Sequence, residues 1–178
     1  MARPDRAEAA AFYFTYIDQI DGDDVCGVLR TQLGRFAQLR DEISEERSLH
    51  RYAPGKWSIR QVASHIIDVE RLFVFRAFWF ARGLEQPLPG FDERVAASLS
   101  AADDRSWASH LEEFRSLRAA TLHFFQNLPP DAWARRGMAN GTSISVNALA
   151  FATAGHVAHH LRILQERYLS GAGLSSSA

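Results

Sequence analysis

The chain has 178 residues, 47% of them hydrophobic and 23% charged, with a net charge of −1. That length suits one domain with a full-sized core, and the near-neutral balance lacks the basic excess of a nucleic-acid binder, so DNA recognition is not expected. Cys26 is the only cysteine, which excludes an intramolecular disulfide and a cysteine-cluster metal site.

Residues 1–22 carry Phe12, Tyr13, Phe14, Tyr16 and Ile17 and read as an aromatic arm laid against a core. They lack the continuous apolar stretch of a signal peptide. A first helix is predicted over 23–47, capped by Asp23 or Asp24, with Val25, Leu29, Leu33, Phe36, Leu39 and Ile43 at helical spacing. Cys26 lies at its start and reads as a packed small side chain, since no local signature marks it as a nucleophile. The Arg51-Tyr52-Ala53-Pro54-Gly55-Lys56 segment separates it from a second helix. That helix opens at Ser58, where Gln61 completes a capping box. Val62, His65, Ile66, Val69, Phe73 and Arg76 share one face, and the helix fades at Arg82-Gly83. Its apolar run 72–81 is interrupted by Arg76 and too short to span a bilayer. A cytoplasmic protein without a membrane partner is expected.

The connection 84–101 carries Pro87, Pro89 and Gly90, too long and too broken for a tight hairpin, and must cross the surface. A third helix is predicted over 103–127, with Trp107, Leu111, Phe114, Leu117, Leu122 and Phe125 forming its stripe; Leu128-Pro129-Pro130 ends it. Asn140-Gly141 suits a small hairpin. A fourth helix runs over 145–168 with Leu149, Ala152, His156, His160, Ile163 and Leu164 inward. Residues 171–178 read as a flexible tail, leaving 1–170 as one domain. Four long helices with one long crossover make an all-α four-helix bundle, a fold that builds its sites between facing helices.

The seven histidines divide by position. His156 and His160 are four residues apart, which stacks both imidazoles on one helix face. His65 sits on the apolar stripe of the second helix, where an unpaired imidazole would cost about 1–3 kcal/mol. Two readings of this trio stand side by side: three ligands of one transition metal, leaving positions open for water or substrate, or core histidines bonded to backbone and to each other. His50 is expected to be solvated, His110 to lie on a polar face, and His123 to lean inward in a structural role. His159 lies about 100° around the helix from His160 and cannot share an ion with the other two. Asp68 or Glu70 can orient His65 or serve as a solvated carboxylate. Tyr13, Tyr16, Trp57 and Arg76 are candidate pocket residues, with core aromatics and a surface arginine as the alternative.

Lys56-Trp57-Ser58-Ile59-Arg60-Gln61-Val62-Ala63-Ser64-His65 resembles the tryptophan-to-histidine motif of DinB-like (damage-inducible) proteins. Asp68-Val69-Glu70-Arg71, Arg76, Ala81-Arg82-Gly83 and Pro87-Leu88-Pro89-Gly90-Phe91-Asp92 are similar to the DinB_2-type subgroup, and Gly155-His156-Val157-Ala158-His159-His160 to its last-helix signature. The resemblance runs from about residue 24 to residue 168. It implies a four-helix bundle with a long crossover, and a divalent metal, zinc or nickel, held by His65, His156 and His160. It further implies a metal-dependent enzyme such as a small-thiol-dependent S-transferase or hydrolase acting on a thiol or electrophile. The alternative it leaves is a non-catalytic metal-binding protein of the stress or damage response. The apolar helix faces and the aromatic arm also suit a homodimer, two-fold pairing being the commonest oligomer.

Overall fold

Four short polar side chains start the four long helices. In the computed structural model, which describes residues 2–170, Asp24 accepts from the Gly27 amide at 2.9 Å and Ser58 from Gln61 at 3.0 Å. Ser106 accepts from Ser109 at 3.2 Å and Ser145 from Ala148 at 2.9 Å. Each such cap stabilises its helix by about 1 kcal/mol. The six α-helices among the described residues are α1 (Phe14–Ile17), α2 (Val25–Glu42), α3 (Ile59–Ala81), α4 (Glu93–Leu99), α5 (Trp107–Gln126) and α6 (Val146–Ile163). The segment expected to be a tail, 171–178, lies outside the described residues.

The long helices α2, α3, α5 and α6 form the bundle. Both α2 and α3 pack on α5 and on α6, so the consecutive helices α2 and α3 occupy opposite corners. α2 stops at Glu42 rather than continuing to residue 47. Ile43 turns to an extended conformation and is buried, and a 3₁₀ turn over Arg47–Leu49 follows. The crossover between α3 and α5 is partly ordered by α4, whose N-cap Asp92 holds the Arg94 and Val95 amides. The predicted hairpin is present as β1 (Arg136–Ala139) and β2 (Thr142–Ser145), with Ala139 opposite Thr142. Asn140 and Gly141 both take positive φ, 52° and 72°, as a two-residue type I′ turn requires. After Ile163, α6 continues as a π-helical turn, Leu164–Leu169.

Buried apolar residues fall into two clusters stacked along the bundle. One joins the N-terminal arm, the C-terminal part of α3, the hairpin and the start of α6; the other joins α2, the start of α3, the start of α5 and the end of α6. The arm is integral to the first cluster, with Tyr13, Phe14 and Ile17 buried. A Cβ on Gly155 would lie 2.1 Å from the Tyr16 carbonyl oxygen, so only glycine lets α1 approach α6 this closely.

Candidate metal centre

α3 and α6 bring three imidazoles to one point. His156 Nε2 lies 3.0 Å from His65 Nε2 and 3.1 Å from His160 Nε2. His65, His156 and His160 are 5%, 3% and 9% exposed. Burial, reinforced by the charge of His159, pulls the His65 pKa from 6.5 down to about 4. Burial, with His65 and His159 adding to it, takes His160 to about 3. His156 is lowered well below its ordinary value, by burial first and then by its histidine neighbours. All three rings are therefore neutral at pH 7, each with one proton and one lone pair.

Hydrogen bonding alone leaves this trio badly matched. His156 Nε2 stands between two other Nε2 atoms, and a neutral ring nitrogen either donates one proton or offers one lone pair. At most one of the two contacts is then a good bond. One cation accepts all three lone pairs at once. Nitrogens at about 2.0–2.1 Å from an ion and about 90–110° apart lie about 2.8–3.4 Å from each other, which brackets both observed separations. The donor set therefore fits a transition-metal ion. Support for the rings is uneven: His160 Nδ1 is buried without a partner, whereas metal-bound histidines usually donate through the second nitrogen.

Aromatic rings wall the trio. Trp57 stands 4.9 Å from His65, and Tyr16 stands 5.2 Å from His156, centroid to centroid. A cavity of about 110 Å³ borders His156 and includes Tyr13, Tyr16, Arg76 and Glu93. A second, of about 270 Å³, borders His160 and includes Lys56, Trp57 and Tyr168. Two separate openings thus reach neighbouring members of the same trio.

His65, His156 and His160 converge, with their donor atoms within 4.8 Å of one another, and the side chains around them lie partly where the sequence suggested and partly elsewhere. Neither Asp68 nor Glu70 orients His65. Asp68 faces Arg71 at 3.6 Å, and Glu70 points across the bundle into a bidentate pair with Arg118. Turning 140° around α3 between residues 65 and 70 puts these side chains on different faces. His110 is fully buried rather than polar-faced, with Nε2 2.9 Å from the Ala102 carbonyl. His123 is exposed, not inward, while His50 is exposed as expected. His159 stays outside the trio, half-buried, its Nδ1 3.3 Å from Gln19 Nε2. Of the candidate pocket residues, Tyr13, Tyr16 and Arg76 line the cavity at His156 and Trp57 lines the one at His160, so Arg76 is not the surface arginine of the alternative reading. Glu93 and Asn140 line the His156 cavity without any sequence signal, because they arrive from the crossover and the hairpin turn.

Residues 29–164 match the DinB superfamily, DinB_2. The chain belongs to the DinB superfamily. Its fold is that of YfiT from Bacillus subtilis, described as a probable metal-dependent hydrolase with an unusual four-helix bundle topology. The two superpose with a TM-score of 0.64 at 17% identity, over 91% of each chain. A mycothiol-dependent maleylpyruvate isomerase superposes with a TM-score of 0.66 at 11% identity. That match covers 86% of this chain and 62% of the isomerase, so this chain spans under two thirds of that protein. No curated protein matches the sequence. No helix among the described residues is long and apolar enough to cross a membrane.

Proposed function

We propose that the protein binds one divalent transition metal through His65, His156 and His160 and is a metal-dependent enzyme, a small-thiol-dependent S-transferase or hydrolase. The convergence of three neutral, buried Nε2 atoms carries the reading. Zinc and nickel both accept imidazole sets. A divalent ion with open positions lowers the pKa of a bound water or thiol and polarises an electrophile. The protein supplies the rest. Tyr16, Phe73 and Trp57 exclude water around the trio. The two cavities give a thiol and an acceptor separate approaches to it. Cys26, at the start of α2 with its thiol pKa raised by burial, takes no part.

Mycothiol dependence in a protein of the same fold favours a low-molecular-weight thiol as one substrate. A cytoplasmic location, where such thiols stay reduced, belongs to the same reading. So does a homodimer, with Phe75 and Phe78 exposed on α3 as its apolar contact; light scattering returning a monomer removes that part. The test of the main reading has two stages. Elemental analysis of protein purified without a histidine tag is expected to return about one metal ion per chain. The loaded protein is then screened with small thiols and electrophilic acceptors. Conjugation or hydrolysis that needs the metal and vanishes in His65→Ala supports the enzyme; metal binding without turnover leaves a non-catalytic stress-response protein.

A further inference from the structure

Three arginines of the bundle are more than nine-tenths buried: Arg60, Arg76 and Arg118, at 6%, 3% and 0% exposure. A buried guanidinium is costly unless a carboxylate faces it. Arg60 meets Glu45 at 2.5 Å, and Arg118 meets Glu70 at 2.6 Å. Arg76 has no carboxylate partner among the described residues. Its Nη2 donates to the Pro89 carbonyl at 2.9 Å and its Nη1 to the Tyr13 hydroxyl at 3.3 Å, while its Nε is buried and unpartnered. The side chain lines the cavity that also exposes His156, Tyr13 and Tyr16.

Arg118 shows how such an edge is normally filled. Its Nε and Nη2 hold the two oxygens of Glu70 side by side, at 2.8 and 2.6 Å. On Arg76 the corresponding Nε has no acceptor, and two of the five guanidinium donors go to neutral oxygens. A planar carboxylate takes such an edge in bidentate fashion, with charge assistance on both bonds.

We propose that Arg76 anchors the substrate, and that this substrate is a small carboxylate-bearing molecule whose carboxylate sits on Arg76 while its reacting end reaches His156. This deepens the proposed function and rests on it. Glu93, exposed where α4 begins, lines the same cavity and disfavours dianions such as phosphate.

Calorimetry on the metal-loaded protein compares 3-mercaptopropionate with its neutral amide, which offers the same thiol without the charge. The acid is expected to bind at least tenfold tighter. That preference should disappear in Arg76→Gln and fall several-fold in Arg76→Lys, which keeps the charge but loses the fork. Metal content of both variants should match wild type, which separates anion binding from damage to the centre. Glu93→Gln should tighten the acid. Equal binding of acid and amide by wild type overturns the proposal without any variant. So does a preference that persists in Arg76→Gln, or inorganic phosphate competing as well as propionate. Propionate binding to metal-free protein, read as a thermal shift lost in Arg76→Gln, isolates the anchor. Should wild type hold no metal while that shift remains, the metal reading fails and the anion site stands.

Discussion

Two polar clusters are buried at the same level of the bundle, where one apolar cluster gives way to the other. On one side Arg118, Glu70, Thr121 and Gln32 close into a network. Glu70 accepts from Arg118 twice and from Thr121 at 2.8 Å, and Arg118 also donates to Gln32 and to the Leu29 carbonyl, each at 3.0 Å. On the other side His65, His156 and His160 aim three like atoms at one another and satisfy almost nothing. α3 contributes to both, Glu70 to the first and His65 to the second. Burial alone does not mark a functional site; the first cluster is as buried as the second and is complete. What distinguishes the histidines is that, among the described residues, their three Nε2 atoms share two contacts of which at most one is a good hydrogen bond. Gln32 links the two, since its amide donates to the Ala154 carbonyl at 2.7 Å, two residues ahead of His156.

The comparison breaks most decisively if the trio proves self-sufficient. His156→Ala removes the nitrogen common to both contacts and should reduce metal affinity by well over about 100-fold, beyond the range for losing a mere supporting partner. Titration against a chromophoric chelator reads it directly; retained affinity would place the ion elsewhere. Glu70→Gln tests the complete cluster. It leaves the Arg118 guanidinium buried beside a neutral group and should cost about 3–5 kcal/mol in denaturant unfolding. The folded fraction should keep its metal. Adding Arg118→Met should recover much of the loss, because the stranded charge rather than the missing bond is what destabilises.

Acid separates the clusters in the metal-free protein. Folded His65 and His160 titrate at about 4 and about 3, against about 6.5 unfolded. Between those values the unfolded chain binds more protons, so stability is whole above pH about 6.5 and declines as pH falls through the folded pKa values. Each withheld proton weakens folding by about 1.4 kcal/mol per pH unit. Urea unfolding from pH 7.5 to 4.5 should show that slope, and His65→Gln should lessen it. A flat profile would mean the rings are not held neutral by burial. Gly155→Ala acts next. Its methyl meets the Tyr16 backbone, and overpacking of this kind costs about 1–3 kcal/mol. It should also shift Tyr16 off His156, seen as altered tyrosine fluorescence on metal binding.

The bundle was legible because its signals are local. Ser58 with Gln61, and Asn140 with Gly141, specify an N-terminus and a turn within four residues, and the α3 stripe from Val62 to Arg76 is buried as its spacing predicts. His156 and His160 were legible for the same reason, being one turn apart on a helix whose inward face is apolar. His65 needed more than spacing, because its meeting with α6 depends on how two helices separated by 91 positions pack. The failures are of that kind. Nothing near residue 118 announces that Arg118 crosses to Glu70, 48 positions away, and without that partner Glu70 reads as free to serve His65. His110 has glutamates two and three positions on, yet its own direction is inward. Helical periodicity resolves which turn a residue occupies better than which neighbour claims its side chain.

Asp68 is where that last distinction can be tested most finely. It is three residues beyond His65, near enough in sequence to look like a supporting carboxylate, but its Oδ1 faces the exposed Arg71 at 3.6 Å and burial raises its pKa. A half-exposed pair at that separation contributes little. Asp68→Asn is therefore expected to change stability by less than about 0.5 kcal/mol and metal affinity by less than about twofold, whereas removal of a true orienting carboxylate costs about 10–100-fold in affinity. The two outcomes are separated by an order of magnitude, so one metal titration decides. A tenfold loss would return Asp68 to the centre and mean that the carboxylate reaches His65 once the ion is bound. An unchanged affinity would leave His65 held by packing alone, between Trp57 and the rings of α6.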